Sequence, residues 1–442
     1  MNEAPQSRIR LSGGRRRDQQ TQAGQDSYNS DLHPDNLSVE IEDANSASHY
    51  KMKKTLRCCG TALFFCAALM AAPPRHRMHH PSSPEGYRVS KPTAGFDPVA
   101  DPLPGMPPVL DPKNIYSAAR PGDLSPAVRG LRPLIYVPNG VSNTVDVIDP
   151  HTLKVVEHFA VGRQPQHVTP SWDLKTLWVL NDLGNSLTRV DPATGKELNT
   201  IPVDDPYNMY YTPDGKFAIV VAEARRRLDF YNPATMQTVS SIHVPCRGVD
   251  HMDFSANGRF LVASCEFSGV MIKVDVTSHK LMGILKLGPR RAPQDVKLSP
   301  DGRIFFVADM YADGVHLIDA ATFKKIGFIP TGRGAHGLYT SRDSRYMYVS
   351  NRGEGSVSLI EFATMKVSTT WKLPGGGSPD MGGVSADGKV LWLSGRYDSE
   401  VYAIDTTDGH LVARIPVGKG PHGLCVYPQP GRYSLGHTGI LR

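Results

Sequence analysis

The feature that most restricts what this chain can fold into is a period of about 42 residues that runs from Leu134 to Tyr427. One unit reads RAPQDVKLSPDGRIFFVADMYADGVHLIDAATFKKIGFIPTG. The tight turn Ser299-Pro300-Asp301-Gly302 separates two apolar runs in it. Proline fixes φ there and glycine accepts positive φ, so the chain must reverse. A second marker is the acidic or amide residue that closes the third run: Asp149, Asp191, Asn232, Asp275, Asp319, Glu361 and Asp405. Seven markers spaced 41 to 44 residues apart, with four short strand-like runs per unit, predict a seven-bladed β-propeller of four-stranded antiparallel blades. The first unit opens at Leu134 on a second-type strand, and Pro421 to Tyr427 supplies one surplus first-type strand. Residues 134–427 span 294 positions, seven units of 42, so the C-terminal strand is expected to complete the first blade and close the ring.

The propeller is therefore placed at 131–430, with a C-terminal tail at 431–442. A proline-rich extended arm at 73–130 precedes it. Residues 52–72 have the shape of a secretory signal peptide: Lys53, Lys54 and Arg57 lead into an apolar stretch at 58–72. Cleavage is expected after Ala71. An uncleaved anchor is the rival, although the stretch falls short of the roughly 20 apolar residues that span a bilayer. Residues 1–51 are polar, lack an apolar period and read as disordered, upstream of the true start. These features predict a periplasmic or secreted monomer with no membrane span in its mature form.

The net charge of +6 is modest and partly reflects Arg15, Arg16 and Arg17, outside the repeat. No interleaved basic and aromatic stretch accompanies it, so nucleic acid is not an expected partner. Cys246, Cys265 and Cys425 are the cysteines of the repeat region, and none forms CxxC or CxxCH. Cys246 precedes the first strand of one blade and Cys265 ends the second, so a disulfide between them is geometrically reasonable. Gly332, Gly334 and Gly337 spell GxGxxG, as do Gly418, Gly420 and Gly423. Both sets lead into strands, so they are blade connections and not dinucleotide fingerprints.

YVPN, WVLN, YVSN, the Ser-Pro-Asp-Gly turns and VIDPHTLKVV with IPVG resemble the YVTN-type β-propeller repeat family. The resemblance covers about two-thirds of the chain. It implies the propeller fold and a family of surface-layer and periplasmic proteins. More distantly, the repeats are similar to the haem d1 domain of cytochrome-type nitrite reductase. That resemblance implies haem as a candidate cofactor, with His251, His336 and His422 as candidate axial ligands and arginines on its carboxylates.

In such blades the start of the first strand and the end of the second emerge on one face, at the mouth of the channel. Aligning the seven first strands on their turns gives a ring of Gln166-His167, Tyr207-Asn208, Asp250-His251, Gln294-Asp295, His336-Gly337, Asp380-Met381 and His422-Gly423. His167, His251, His336 and His422 are thus candidate ligands for haem or a divalent metal, with Asp250, Asp295 or Asp380 to complete a site. The four histidines fall in two registers: His167 and His251 lie four residues before the turn, His336 and His422 five. The bland alternative is hydrogen bonding between neighbouring blades. Arg163, Arg247, Arg290, Arg291, Arg333, Arg352 and Arg396 lie in loops of the same face and suit an anionic ligand. Acids such as Asp182, Glu223 and Glu266 share that face, so solvated mixed charge is the competing reading. The preferred function is a binding or scaffold protein for an anionic small molecule or a protein partner. The alternatives are a haem d1-like or metal-binding redox protein, and a metal-assisted lyase or lactonase with Glu223 and Glu266 as acids.

Overall fold

A computed structural model describes residues 89–437 and 439–442. The predicted signal segment and the residues before it lie outside the described residues. Among the described residues, no helix is long and apolar enough to cross a membrane.

Seven four-stranded antiparallel sheets form the ring. Six are made of consecutive strands. The seventh orders Cys425–Tyr427, Leu134–Asn139, Thr144–Asp149 and Lys154–Ala160, so the end of the repeat supplies the innermost strand of the first blade. Leu134 pairs with Tyr427 and Tyr136 with Cys425.

The turn between the first two strands uses the same chemistry in successive blades. Ser299 donates its hydroxyl to Asp301, accepts from the backbone N–H groups of Arg303 and Ile304, and leaves Gly302 at φ +70°. Ser341 with Asp343 and Ser385 with Asp387 repeat the arrangement. Each turn is thus satisfied by its own side chains, which is why the motif is so regular in sequence. Inner strands are buried on both faces, whereas outer strands such as Lys154–Ala160 are largely exposed. Between blades the core is Val, Leu, Ile and aromatic residues, each cluster drawing on strands of neighbouring sheets.

The two ends of the ring differ. The arm from Val89 onward lies on the face carrying the Ser-Pro-Asp-Gly turns. Leu103 N–H donates to Asn257, Ile115 N–H to Pro300 and Gly122 N–H to Ala386, all turn residues of that face. Beyond the closing strand, the tail turns back into the channel from the same side. His437 N–H donates to Met209 O and Tyr211 N–H to Leu435 O, so the tail runs antiparallel to the inner strand Pro206–Tyr211. It then reverses, with Leu435 N–H on Ile440 O and Arg432 N–H on Arg442 O. This hairpin plugs the channel. Gly436 is required for the fit, because a Cβ there would stand 2.5 Å from both Met209 O and Tyr210 Cα, at φ +97°.

Candidate functional site

At the opposite end of the channel, the wall is set by a recurring irregularity. The inner strands slip register at the predicted ring positions: between Pro165 and His167, Val249 and Met252, Pro293 and Val296, Ala335 and Leu338, and Pro379 and Gly382. A bulge breaks strict alternation and re-aims side chains. Neighbouring serines satisfy the displaced backbone. Ser264 accepts from His251 N–H and donates to His251 O, and Ser350 accepts from Gly337 N–H and donates to Asp380 O.

The four predicted histidines are all buried and crowd together, the His167 and His422 ring centroids standing 4.8 Å apart. His336 and His422 close on Asp380, with Nδ1 3.0 Å and 2.6 Å from its carboxylate. Arg352 joins them at 3.1 Å and Arg396 stands 4.0 Å away. Burial alone would raise the Asp380 carboxyl, but His336, Arg352 and Arg396 hold it below the usual carboxylate range. His167 and His251 turn instead toward each other and toward His437, with ring centroids 4.7 to 5.4 Å apart. His437 belongs to the tail hairpin and carries no repeat signal. The only hint of it in the sequence is a histidine set between Gly436 and Gly439 close to the C-terminus. Burial holds the His167 imidazole down to about 4, and it pushes His251 and His437 well below the usual range. All three rings are therefore neutral at physiological pH.

One layer nearer the mouth, the residue following each second strand lines a funnel. Arg352 and Arg396 stand on one side, and Asp182, Glu223 and Glu266 on the other. Burial, followed by the repulsion of Asp250 and Glu266, pushes Glu223 well above the normal range. Burial and Asp205 push Asp182 up to about 7. Asp250 is raised by burial and Glu266, against a lowering contribution from Tyr207. Burial and mutual repulsion favour the neutral, O–H donating form of these acids, against the opposing pull of Arg352 on Asp250 and Glu266.

Of the seven predicted arginines, the structure brings together Arg352 and Arg396. Arg163, Arg247, Arg290 and Arg333 are exposed in the surrounding loops, and Arg291 is half-buried, 4.0 Å from Asp309. Outside the charged funnel, Val141, Leu183, Phe267, Tyr311 and Tyr397 form an exposed apolar rim, one residue further along the same loops. Cys246 and Cys265 are joined by a disulfide with Cα atoms 6.1 Å apart, and Cys425 is a buried free thiol.

A family model described as a YNCE-like beta-propeller matches residues 105–431. YncE of Salmonella typhi, itself an uncharacterized protein, is 22% identical over 262 residues, which cover 56% of this chain and 73% of the relative. Among solved structures, hydrazine synthase of Kuenenia stuttgartiensis superposes with a TM-score of 0.55 at 21% identity, over 62% of this chain and 92% of that one. Dihydro-heme d1 dehydrogenase NirN in complex with DHE superposes with a TM-score of 0.53 at 15% identity, over 69% of this chain and 77% of that one. Likeness at these identities is a likeness of fold.

Proposed function

From its place in the YNCE-like β-propeller family, to which the chain belongs, we propose that the protein is an exported binding propeller that takes an anionic small molecule into the open end of its channel. One observation carries this reading: the funnel wall sets the guanidinium groups of Arg352 and Arg396 opposite carboxyl groups pushed toward their neutral form. Guanidinium and carboxylic O–H groups are all donors, and they face one space. A carboxylate or phosphate guest satisfies both sides, whereas a cationic guest meets Arg396 unfavourably. Arg396 is only partly engaged by Asp380 and is the residue best placed to meet the guest.

Export is supported by the signal-like segment at 52–72 and, independently, by the Cys246–Cys265 pair, since disulfides persist in oxidising compartments. A tetrapyrrole of the kind named for NirN belongs to the same anionic ligand class. Here His336 and His422 are already engaged by Asp380 and buried. The fit is therefore poor for axial ligation, and such a guest would be held through its carboxylates. The exposed apolar rim favours a second reading, a protein partner seated over the mouth.

The test is calorimetric titration of the purified chain with inorganic phosphate, citrate and haemin. The best of the three is expected to bind at least ten-fold more weakly to a folded Arg396→Ala variant, and equally well to Arg333→Ala. Equal binding to the wild type and Arg396→Ala, or no binding of any probe, would overturn the proposal.

A further inference from the structure

The deepest part of the channel holds a group of side chains that anion binding at the mouth does not use. One ring nitrogen from each of His167, His251 and His437 lies within 4.8 Å of the other two, and all three residues are buried. We propose that His167, His251 and His437 form a three-histidine site for a divalent first-row transition-metal ion, with a position left open toward the funnel.

Three observations converge on this assignment. The first is the set of hydrogen bonds around the rings. His167 donates Nδ1–H to the Tyr207 carbonyl at 2.9 Å, which leaves the Nε2 lone pair buried, without a partner and directed away from that bond. His251 and His437 each accept at Nδ1 from the Asn208 amide at 3.1 Å, so those nitrogens carry lone pairs as well. Their Nε2–H groups then face carboxylates: His251 toward Asp250 at 3.1 Å, and His437 toward Asp295 at 3.7 Å, neither in hydrogen-bond alignment. An imidazole that offers one nitrogen inward and sets the other against a carbonyl or carboxylate is the usual outer arrangement of a histidine metal ligand. The Asn208 amide stands between two of the lone pairs and must swing aside when an ion enters.

The second observation is that the fold makes room for these rings at a cost. Gly423 abuts His167 so closely that a Cβ would lie 2.0 Å from its Cδ2. His437 sits at φ +52°, a left-handed conformation that a non-glycine residue adopts at some expense.

The third concerns chemistry. Three neutral nitrogen donors suit zinc, copper or nickel, and do not suit calcium or magnesium, which take oxygen ligands. Metal–nitrogen bonds of about 2.0–2.1 Å place tetrahedral ligands about 3.3 Å apart, so the rings need to close by only about 1.5 Å from their present spacing. Three protein ligands and one open position are the pattern of a site that presents the ion to a guest.

The experiment uses the untagged chain, stripped with a chelator and titrated with Zn2+ by calorimetry and with Cu2+ by electron paramagnetic resonance. One tight equivalent is expected, with nitrogen superhyperfine structure in the copper spectrum. His437→Ala lies beyond the closing strand and leaves the blades intact. It is expected to weaken binding at least 100-fold, as is His167→Ala. His410→Ala removes the exposed Asp405, Asp408 and His410 cluster on the outer surface and is expected to change nothing. No tight equivalent, undiminished binding to a folded His437→Ala variant, or loss on His410→Ala would overturn the assignment. Phosphate, citrate or haemin binding to the metal-free chain is read separately, so failure of the metal site and failure of the anion reading remain distinguishable.

Discussion

Asp250 and Asp253 lie three residues apart on one inner strand, at opposite ends of the same channel, and they are treated differently. Asp253 is fully served: Oδ1 takes Arg442 at 2.7 Å and Phe254 N–H at 2.7 Å, and Oδ2 takes Leu298 N–H at 2.8 Å. Asp250 is equally buried, but it meets only a poorly aligned His251 Nε2 at 3.1 Å and Tyr207, and its neighbours include other acids. Buried polar groups are ordinarily satisfied, because an unmade hydrogen bond costs about 1–3 kcal/mol. Asp253, at the end closed by the arm and the tail, follows that rule. The channel interior departs from it at His167 Nε2 and His437 Nε2, which lack a partner, and such departures concentrate where a protein binds something. The far end holds the ring together, and the mouth is held ready.

That contrast can be broken most forcefully at the closed end. Arg442→Ala strips Asp253 of its buried cation. Removing one partner of a buried pair costs about 3–5 kcal/mol, so a loss of that size is expected in denaturant unfolding at neutral pH. A loss below 1 kcal/mol would mean that the plug is not structural. Gly436→Ala forces a Cβ onto Met209 O and Tyr210 Cα at positive φ, and about 2 kcal/mol of destabilisation is expected in the same assay. Intact stability there would show that the hairpin is not seated against the inner strand.

At the mouth the sign should reverse. Asp182 is raised from the ordinary aspartate range to about 7, so the folded state holds its proton more tightly than the unfolded chain. Its contribution to stability is fully present below about pH 4 and is lost as pH rises through about 7. Asp182→Asn removes that loss. The variant is expected to match the wild type at pH 4 and to be more stable by about 1–2 kcal/mol at pH 8, measured by thermal or denaturant unfolding across that range. A variant less stable at pH 8 would place Asp182 among the satisfied groups and erase the distinction between the ends. The smallest effect is expected for Arg163→Ala, Arg247→Ala and Arg333→Ala, exposed loop residues whose stability changes should stay within about 0.5 kcal/mol.

The architecture was legible in the sequence because the signals that set it are local and repeated. Ser299, Asp301 and Gly302 form their turn from their own side chains, and the same solution recurs blade after blade. Closure was legible because the surplus strand at Pro421 to Tyr427 has a vacancy of matching type at Leu134. The ring positions could be aligned on the turns, but the two registers of histidines do not part in space, since His167 lies 4.8 Å from His422 and 5.4 Å from His251. The arginines divide by loop type, with Arg352 and Arg396 following second strands and the four exposed ones entering first strands, but which of them reach Asp380 was not legible. Neither was His437. It meets Asn208 across 229 residues, through a hairpin with no periodicity, and nothing local marks a tail that threads back into a channel.

The most direct test of the contrast between the two ends is a native mass spectrum of the untagged chain purified from its native cells. A mass excess matching one bound ion or small molecule is expected, lost in His437→Ala or Arg396→Ala and retained in Arg333→Ala. A bare mass for the wild type, identical in behaviour to those variants, would contradict the account.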